Sequence, residues 1–64
     1  MAAFINALHE EGTISDIWGY IRRYAEDLSA PVKIDVNERN RDVLITELTR
    51  LWVLSNGQEI QNGV

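Results

Sequence analysis

The fold of this chain is decided by residues 43–54, which read VLITELTRLWVL. Their apolar side chains recur at the spacing of an α-helix and cover about half of its circumference. Val53 projects away from this broad apolar side. One neighbouring helix in a chain of 64 residues does not normally cover so wide a surface. The pattern therefore predicts a helix that is packed between elements of its own chain, or one that also meets a second chain.

Two further helices are predicted upstream of this stretch. Residues 1–11 carry a short apolar stripe, and Gly12 is expected to stop that helix. Residues 13–16, TISD, have the pattern of a capping box and predict the start of a second helix. Ser29-Ala30-Pro31 should end it, because the residue before a proline disfavours the helical conformation. Gly19, on the polar face, is either simply tolerated or marks the close approach of another backbone.

The connection between the second and third helices has two interpretations. Residues 32–36, VKIDV, alternate apolar and polar side chains, as a β-strand does. One strand alone cannot satisfy its backbone groups, so it would need a partner such as the same segment of a second chain. The alternative is an extended linker that docks Val32, Ile34 and Val36 onto the helices.

The limits of the third helix set the expected domain organisation. Asp35 or Asn37 is the predicted N-cap, and Asn56-Gly57 is the predicted stop. Residues 1–57 should form a single helical domain, followed by a flexible polar tail over residues 58–64. The predicted fold class is all-α, a small three-helix open bundle with a short extended segment between helices two and three.

Composition and charge exclude several classes of partner. The net charge is −4, and the first 21 residues hold Glu10, Glu11 and Asp16 without any lysine or arginine. No stretch has the basic excess that a phosphate backbone requires, so nucleic acid is not an expected partner. No apolar run approaches the ~20 residues of a membrane span, and the first residues do not resemble a signal peptide. Since the chain also lacks cysteine, a cytoplasmic location is expected.

No residue pattern in the chain indicates catalysis or metal binding. His9 is the single histidine, and there is no cysteine to serve as a nucleophile. Residues 35–46 begin like a calcium loop, but Arg39, Asn40 and Thr46 stand where an oxygen ligand, a glycine and a bidentate glutamate belong. We therefore expect no catalytic, cofactor-binding or metal-ligating residues, no cofactor and no enzymatic activity.

The function that these features favour is protein–protein interaction. The chain is predicted to be a small acidic adaptor, inhibitor or assembly protein that self-associates as a homodimer. A second protein with a basic surface would suit the acidic N-terminal third. The two tryptophans are expected either in the core or as interface anchors. The candidate interface residues are Trp18, Tyr20, Leu51, Trp52 and Val53.

The alternative function is a dimeric DNA-binding regulator of the ribbon-helix-helix type. In that arrangement residues 32–36 of two chains would pair, with Lys33 and Asp35 exposed. Two observations oppose it: only a short tail follows the third helix, where that fold requires another helix, and the ribbon would present one acid for each base to the DNA.

Overall fold

The computed structural model describes the backbone of residues 3–62 and the side chains of residues 3–56. Three helices form within this part of the chain: α1, Ala3–Glu11; α2, Ile14–Leu28; and α3, Arg41–Asn62. The described backbone contains no β-strand. The prediction of an all-α three-helix bundle is therefore confirmed.

The direction of the helices follows from contacts at their ends. His9, near the end of α1, places its Nε2 atom 2.8 Å from a carboxylate oxygen of Asp42, and its carbonyl accepts a hydrogen bond of 2.9 Å from Arg41. Phe4, at the start of α1, stacks on the ring of Tyr24 in the second half of α2. Hence α1 runs antiparallel to α2, whereas α2 and α3 begin at the same end of the bundle and run in the same direction.

The core lies where α3 packs against both of the other helices. Most of the apolar side predicted for residues 43–54 is covered by the chain itself, and Leu44, Leu48 and Leu51 have no exposed surface. Burying such side chains is the main force that holds a small domain together. The buried apolar residues are Ile5, Ile17, Trp18, Ile21, Ala25, Leu44, Ile45, Leu48 and Leu51.

Local hydrogen bonds set both ends of α2. The Thr13 hydroxyl accepts the Asp16 amide hydrogen at 3.0 Å, and the Asp16 carboxylate accepts the Thr13 amide hydrogen at 3.2 Å. The predicted capping box is therefore present. At the other end, Ser29 takes the left-handed conformation with φ 52°, and the amide of Ala30 donates to the carbonyl of Ala25 at 2.9 Å. The helix thus stops within the predicted segment, at the residue that turns left-handed.

Residues 32–36 form a linker rather than a strand, with a bend at Ile34 and a turn that begins at Val36. Val32 and Ile34 pack against the core, as the linker interpretation predicts. Val36 does not: 64% of its surface is exposed, so the expectation that it docks on the helices is wrong. The cause is a turn at this point, where the Asp35 carboxylate accepts a backbone N–H from two residues ahead at 2.8 Å.

The third helix begins later than predicted. It starts at Arg41, and the side-chain oxygen of Asn40 accepts the amide hydrogen of Asp42 at 2.9 Å, which makes Asn40 the N-cap. The predicted caps, Asp35 and Asn37, are therefore wrong. These two residues form the turn before α3 instead, in which the Asp35 carboxylate accepts the Asn37 amide hydrogen.

The predicted stop at Asn56-Gly57 is also wrong, since the α3 backbone stays helical to Asn62. A left-handed glycine cap at Gly57 would require a positive φ, which this glycine does not have. The predicted flexibility of residues 58–64 stays a prediction. The side chains of residues 57–62 and the whole of residues 63–64 lie outside the described part of the chain.

Candidate interaction surface

The five residues predicted to form an interface fall in different environments. Trp18 and Leu51 are buried in the core, and Trp52 is half-buried against it. Tyr20 is partly exposed on α2, where its ring contacts Phe4 of α1 at a centroid distance of 5.3 Å. Val53, on the second half of α3, is 51% exposed. The structure therefore leaves Tyr20 and Val53 available at the surface, on two different helices.

The outward side of α3 carries a set of residues that sequence reasoning did not group. They recur at helical spacing and share one face, here called the outer stripe: Val43, Thr46, Arg50, Val53 and Leu54. Leu54, beside Val53, is 41% exposed. Because a surface helix normally turns charged side chains to solvent, a stripe composed mainly of valine, leucine and threonine is unusual.

The one charge on the outer stripe is neutralised from within the chain. Arg50 donates from Nε and Nη2 to the two carboxylate oxygens of Glu47, both at 2.8 Å. Glu47 is only 4% exposed. The hydrogen bonds from Arg50 lower the pKa of Glu47 despite its burial, and the same bonds raise the pKa of Arg50. This is the bidentate geometry in which an arginine–carboxylate pair is strongest.

The same pair fastens the linker to α3. The Glu47 carboxylate also accepts the backbone N–H of Lys33 at 2.8 Å, and Arg50 donates to the carbonyl of Pro31 at 3.2 Å. Sequence analysis missed this network. The available signal was a glutamate in the middle of an apolar side, spaced three residues after Leu44 and three before Arg50.

A shallow groove of about 270 Å³ extends the outer stripe toward the linker. Val43 and Thr46 form its α3 side together with Asp42 and Glu47, and Ile34 forms its linker side. The groove and the stripe share Val43 and Thr46, and the charged residues of the groove are Asp42 and Glu47.

Within residues 3–56, no three histidine, cysteine, aspartate or glutamate side chains come together in a way that could hold a metal ion. No helix in the described part of the chain is long and apolar enough to cross a membrane. No protein-family model, curated protein or solved structure matches this chain.

Proposed function

We propose that this chain is a protein–protein interaction module that self-associates through the outer stripe of α3. The observation that carries the proposal is the charge distribution on that helix. Between residues 43 and 56 the charged side chains are Glu47 and Arg50, and each has the other as its partner. The exposed positions Thr46, Val53 and Leu54 are uncharged, so this face loses little by leaving water.

A second copy of the chain is the partner that best fits this face. Each copy carries a net charge of −4, with three acids and no bases in its first 21 residues. Two such chains repel each other unless they meet at a neutral surface, and the outer stripe is one. A domain of this size also has little core of its own, so burial between two copies adds stability that it needs.

The acidic N-terminal third stays outside this contact. Glu10 and Glu11 lie on α1, and both are exposed. The proposal therefore keeps a basic surface as the complementary chemistry of a further protein partner, acting mainly on the rate of association. It also keeps a cytoplasmic location, which suits a chain without cysteine, and it includes no catalytic activity and no cofactor.

The DNA-binding alternative gains no support. Residues 32–36 form no strand, and Ile34 packs against the core instead of lying in a ribbon. The backbone N–H of Lys33 is already bonded to Glu47, so this donor is not free to pair with a second chain.

The test is the mass of the protein in solution over a range of concentrations, compared with that of Val53→Asp and Val36→Asp. Both valines are more than half exposed, so both variants should keep the helical circular dichroism of the parent. The parent should approach twice 7.3 kDa as its concentration rises. Val53→Asp should raise the dimer dissociation constant at least about tenfold, because it sets two carboxylates against each other.

Val36→Asp makes the same chemical change on the linker, away from the outer stripe, and should leave the dissociation constant unchanged. A parent that stays at 7.3 kDa at every concentration would remove self-association. Equal weakening by the two variants would place the contact elsewhere on the chain.

A further inference from the structure

A cleft of about 240 Å³ lies between the first half of α2 and the linker. Two arginines line it, Arg22 from α2 and Arg39 from the linker, together with Ile14, Ser15 and Trp18. Concentrating two guanidinium groups at one cleft is unexpected in a chain with a net charge of −4. Within the described part of the chain, neither arginine forms an ion pair with a carboxylate.

Both guanidinium groups are held in place by the fold. Trp18 is buried, and its indole N–H donates to the carbonyl of Glu38 at 3.1 Å, which fixes the ring. The guanidinium carbon of Arg22 lies 5.4 Å from the centre of that ring, in cation–π contact. Arg39 donates from Nη1 to the carbonyls of Glu38 at 3.0 Å and Val36 at 3.4 Å. Its Nη2 and Nε donors are not needed for these bonds.

Two acids near the cleft, Asp16 and Glu38, are occupied by backbone donors, and Glu26, four residues after Arg22, does not line the cleft. The Asp16 carboxylate accepts the Thr13 amide hydrogen in the capping box. The Glu38 carboxylate accepts the amide hydrogens of Arg39 and Asn40, at 3.0 and 2.9 Å. These bonds hold each carboxylate against the backbone. The two guanidinium groups are thus the charged side chains that line the cleft.

We propose that this cleft binds a phosphate group, with Arg22 and Arg39 as its charged ligands and the Ser15 hydroxyl as a neutral one. Two guanidinium groups match the two negative charges of a phosphate monoester, and their planar N–H pairs match its oxygens. Because both groups are positioned before binding, little ordering is needed when the anion arrives. The site is separate from the outer stripe, and the proposal does not depend on self-association.

The source of the phosphate is either a small phosphorylated molecule or a phosphorylated side chain of a partner protein. Both present the same dianionic group to the two arginines. The tripeptide Ala–phosphoserine–Ala and inorganic phosphate therefore serve as the two probes. Tighter binding of the peptide would identify the partner as a phosphoprotein, and equal binding would favour a free phosphorylated molecule.

The experiment is a titration of the protein with inorganic phosphate, followed by NMR at constant ionic strength set with sodium chloride. We expect saturable shifts, with a dissociation constant of about 1–10 mM, at the Trp18 indole N–H, the Ser15 amide and the Nε–H groups of Arg22 and Arg39. Acetate should give shifts that stay linear over the same range.

Three variants test the assignment. Arg22→Gln should weaken phosphate binding by about tenfold, and Arg39→Gln should weaken it to a similar extent. Arg23→Gln is the matched control, since Arg23 follows Arg22 on α2 and lines a different cleft. The amide spectrum of each variant reports whether it keeps the parent fold. If Arg39→Gln loosens the linker, Arg22→Gln still decides.

Shifts that stay linear with phosphate would overturn the proposal. So would equal responses to acetate and phosphate, which would show general ionic screening. Equal weakening by Arg22→Gln and Arg23→Gln would likewise show that the cleft is not the site.

Discussion

The two connections between helices are held in place by different kinds of contact. Residues 12–13 join α1 to α2 by contacts within a few residues: the Gly12 amide donates to the Leu8 carbonyl at 2.9 Å, and Thr13 exchanges hydrogen bonds with Asp16. Residues 29–40, which join α2 to α3, contain local turns such as that closed by Asp35, but they are fastened to the helices by contacts with distant parts of the chain. The short connection is therefore specified locally, and the long one is specified by the finished fold.

The direction of the helices explains the difference. Since α2 and α3 start at the same end of the bundle, the second connection must return along its whole length. Its first part is fastened to the middle of α3 by Glu47 and Arg50, and its last part to the first half of α2 by the hydrogen bond between Trp18 and Glu38. A linker that is fixed at both ends costs entropy to order, and these few bonds together with Val32 and Ile34 must offset that cost.

The largest expected effect comes from breaking the long connection at Glu47. Glu47→Ala leaves Arg50 and the Lys33 amide without the acceptor that they share, in a partly buried position. We expect the free energy of unfolding, measured by urea titration followed by circular dichroism, to fall by about 3 kcal/mol. That is a large part of the stability of a domain of this size.

The matched control is Glu26→Ala on α2, where the glutamate is exposed. It should change the free energy of unfolding by less than about 0.5 kcal/mol. Equal losses in the two variants would mean that the Glu47 network does not hold the linker.

The short connection is best tested at Gly12. The φ of Gly12 is not positive, so a glycine is required there because a side chain would not fit, and not because of the backbone conformation. A Cβ atom at Gly12 would lie 2.7 Å from the Leu8 carbonyl oxygen and 2.8 Å from its side chain. Because backbone has to move, Gly12→Ala should lower the free energy of unfolding by about 1–3 kcal/mol.

Gly19→Ala is the same substitution with the opposite expected sign. Nothing lies within 4 Å of a Cβ atom at Gly19, and alanine is the better helix former, so the free energy of unfolding should rise by about 0.5–1 kcal/mol. A Gly19→Ala variant that is more stable as a monomer but associates more weakly would show that a second backbone approaches Gly19. If both alanine variants were destabilised alike, space at Gly12 would not be the cause.

The sequence predicted those parts of the fold that depend on neighbouring residues. The capping box at Thr13 and the end of α2 near Ser29 are formed by residues a few positions apart, and the apolar side of residues 43–54 needs only helical periodicity. The predicted start of α3 was wrong because Asp35, Asn37 and Asn40 are all suitable N-cap residues. The choice among them depends on where the linker is fastened, at Glu47 and at Trp18, and this is not encoded next to the caps.

The candidate surfaces likewise contain some features that follow from neighbouring residues and others that follow from the tertiary fold. Val53 was expected to lie off the apolar side, and helical spacing alone is enough to predict its exposure. The burial of Trp18 and Leu51 could not be separated from a role at an interface, because a core position and an interface anchor have the same pattern in the sequence. Arg22 lies on α2 and Arg39 on the linker, so their position at one cleft follows from the tertiary fold and not from a sequence motif.

The smallest expected effect, and the one that isolates the charge in the long connection, is a dependence of stability on pH. The hydrogen bonds from Arg50 hold the pKa of Glu47 below its ordinary value of 4.5 in the folded protein. The unfolded chain therefore binds a proton at Glu47 more readily, so acid favours unfolding. The stabilisation from this carboxylate is complete above pH 4.5 and is lost as the pH falls through the lower, folded-state pKa.

Acid also protonates other carboxylates of the chain, so the informative quantity is the difference in the free energy of unfolding between the parent and Glu47→Gln. We expect that difference in the free energy of unfolding to shrink on acidification below pH 4.5. A Glu47→Gln variant with the same pH dependence as the parent would show that the shape of the Glu47 side chain, and not its charge, fastens the linker to α3.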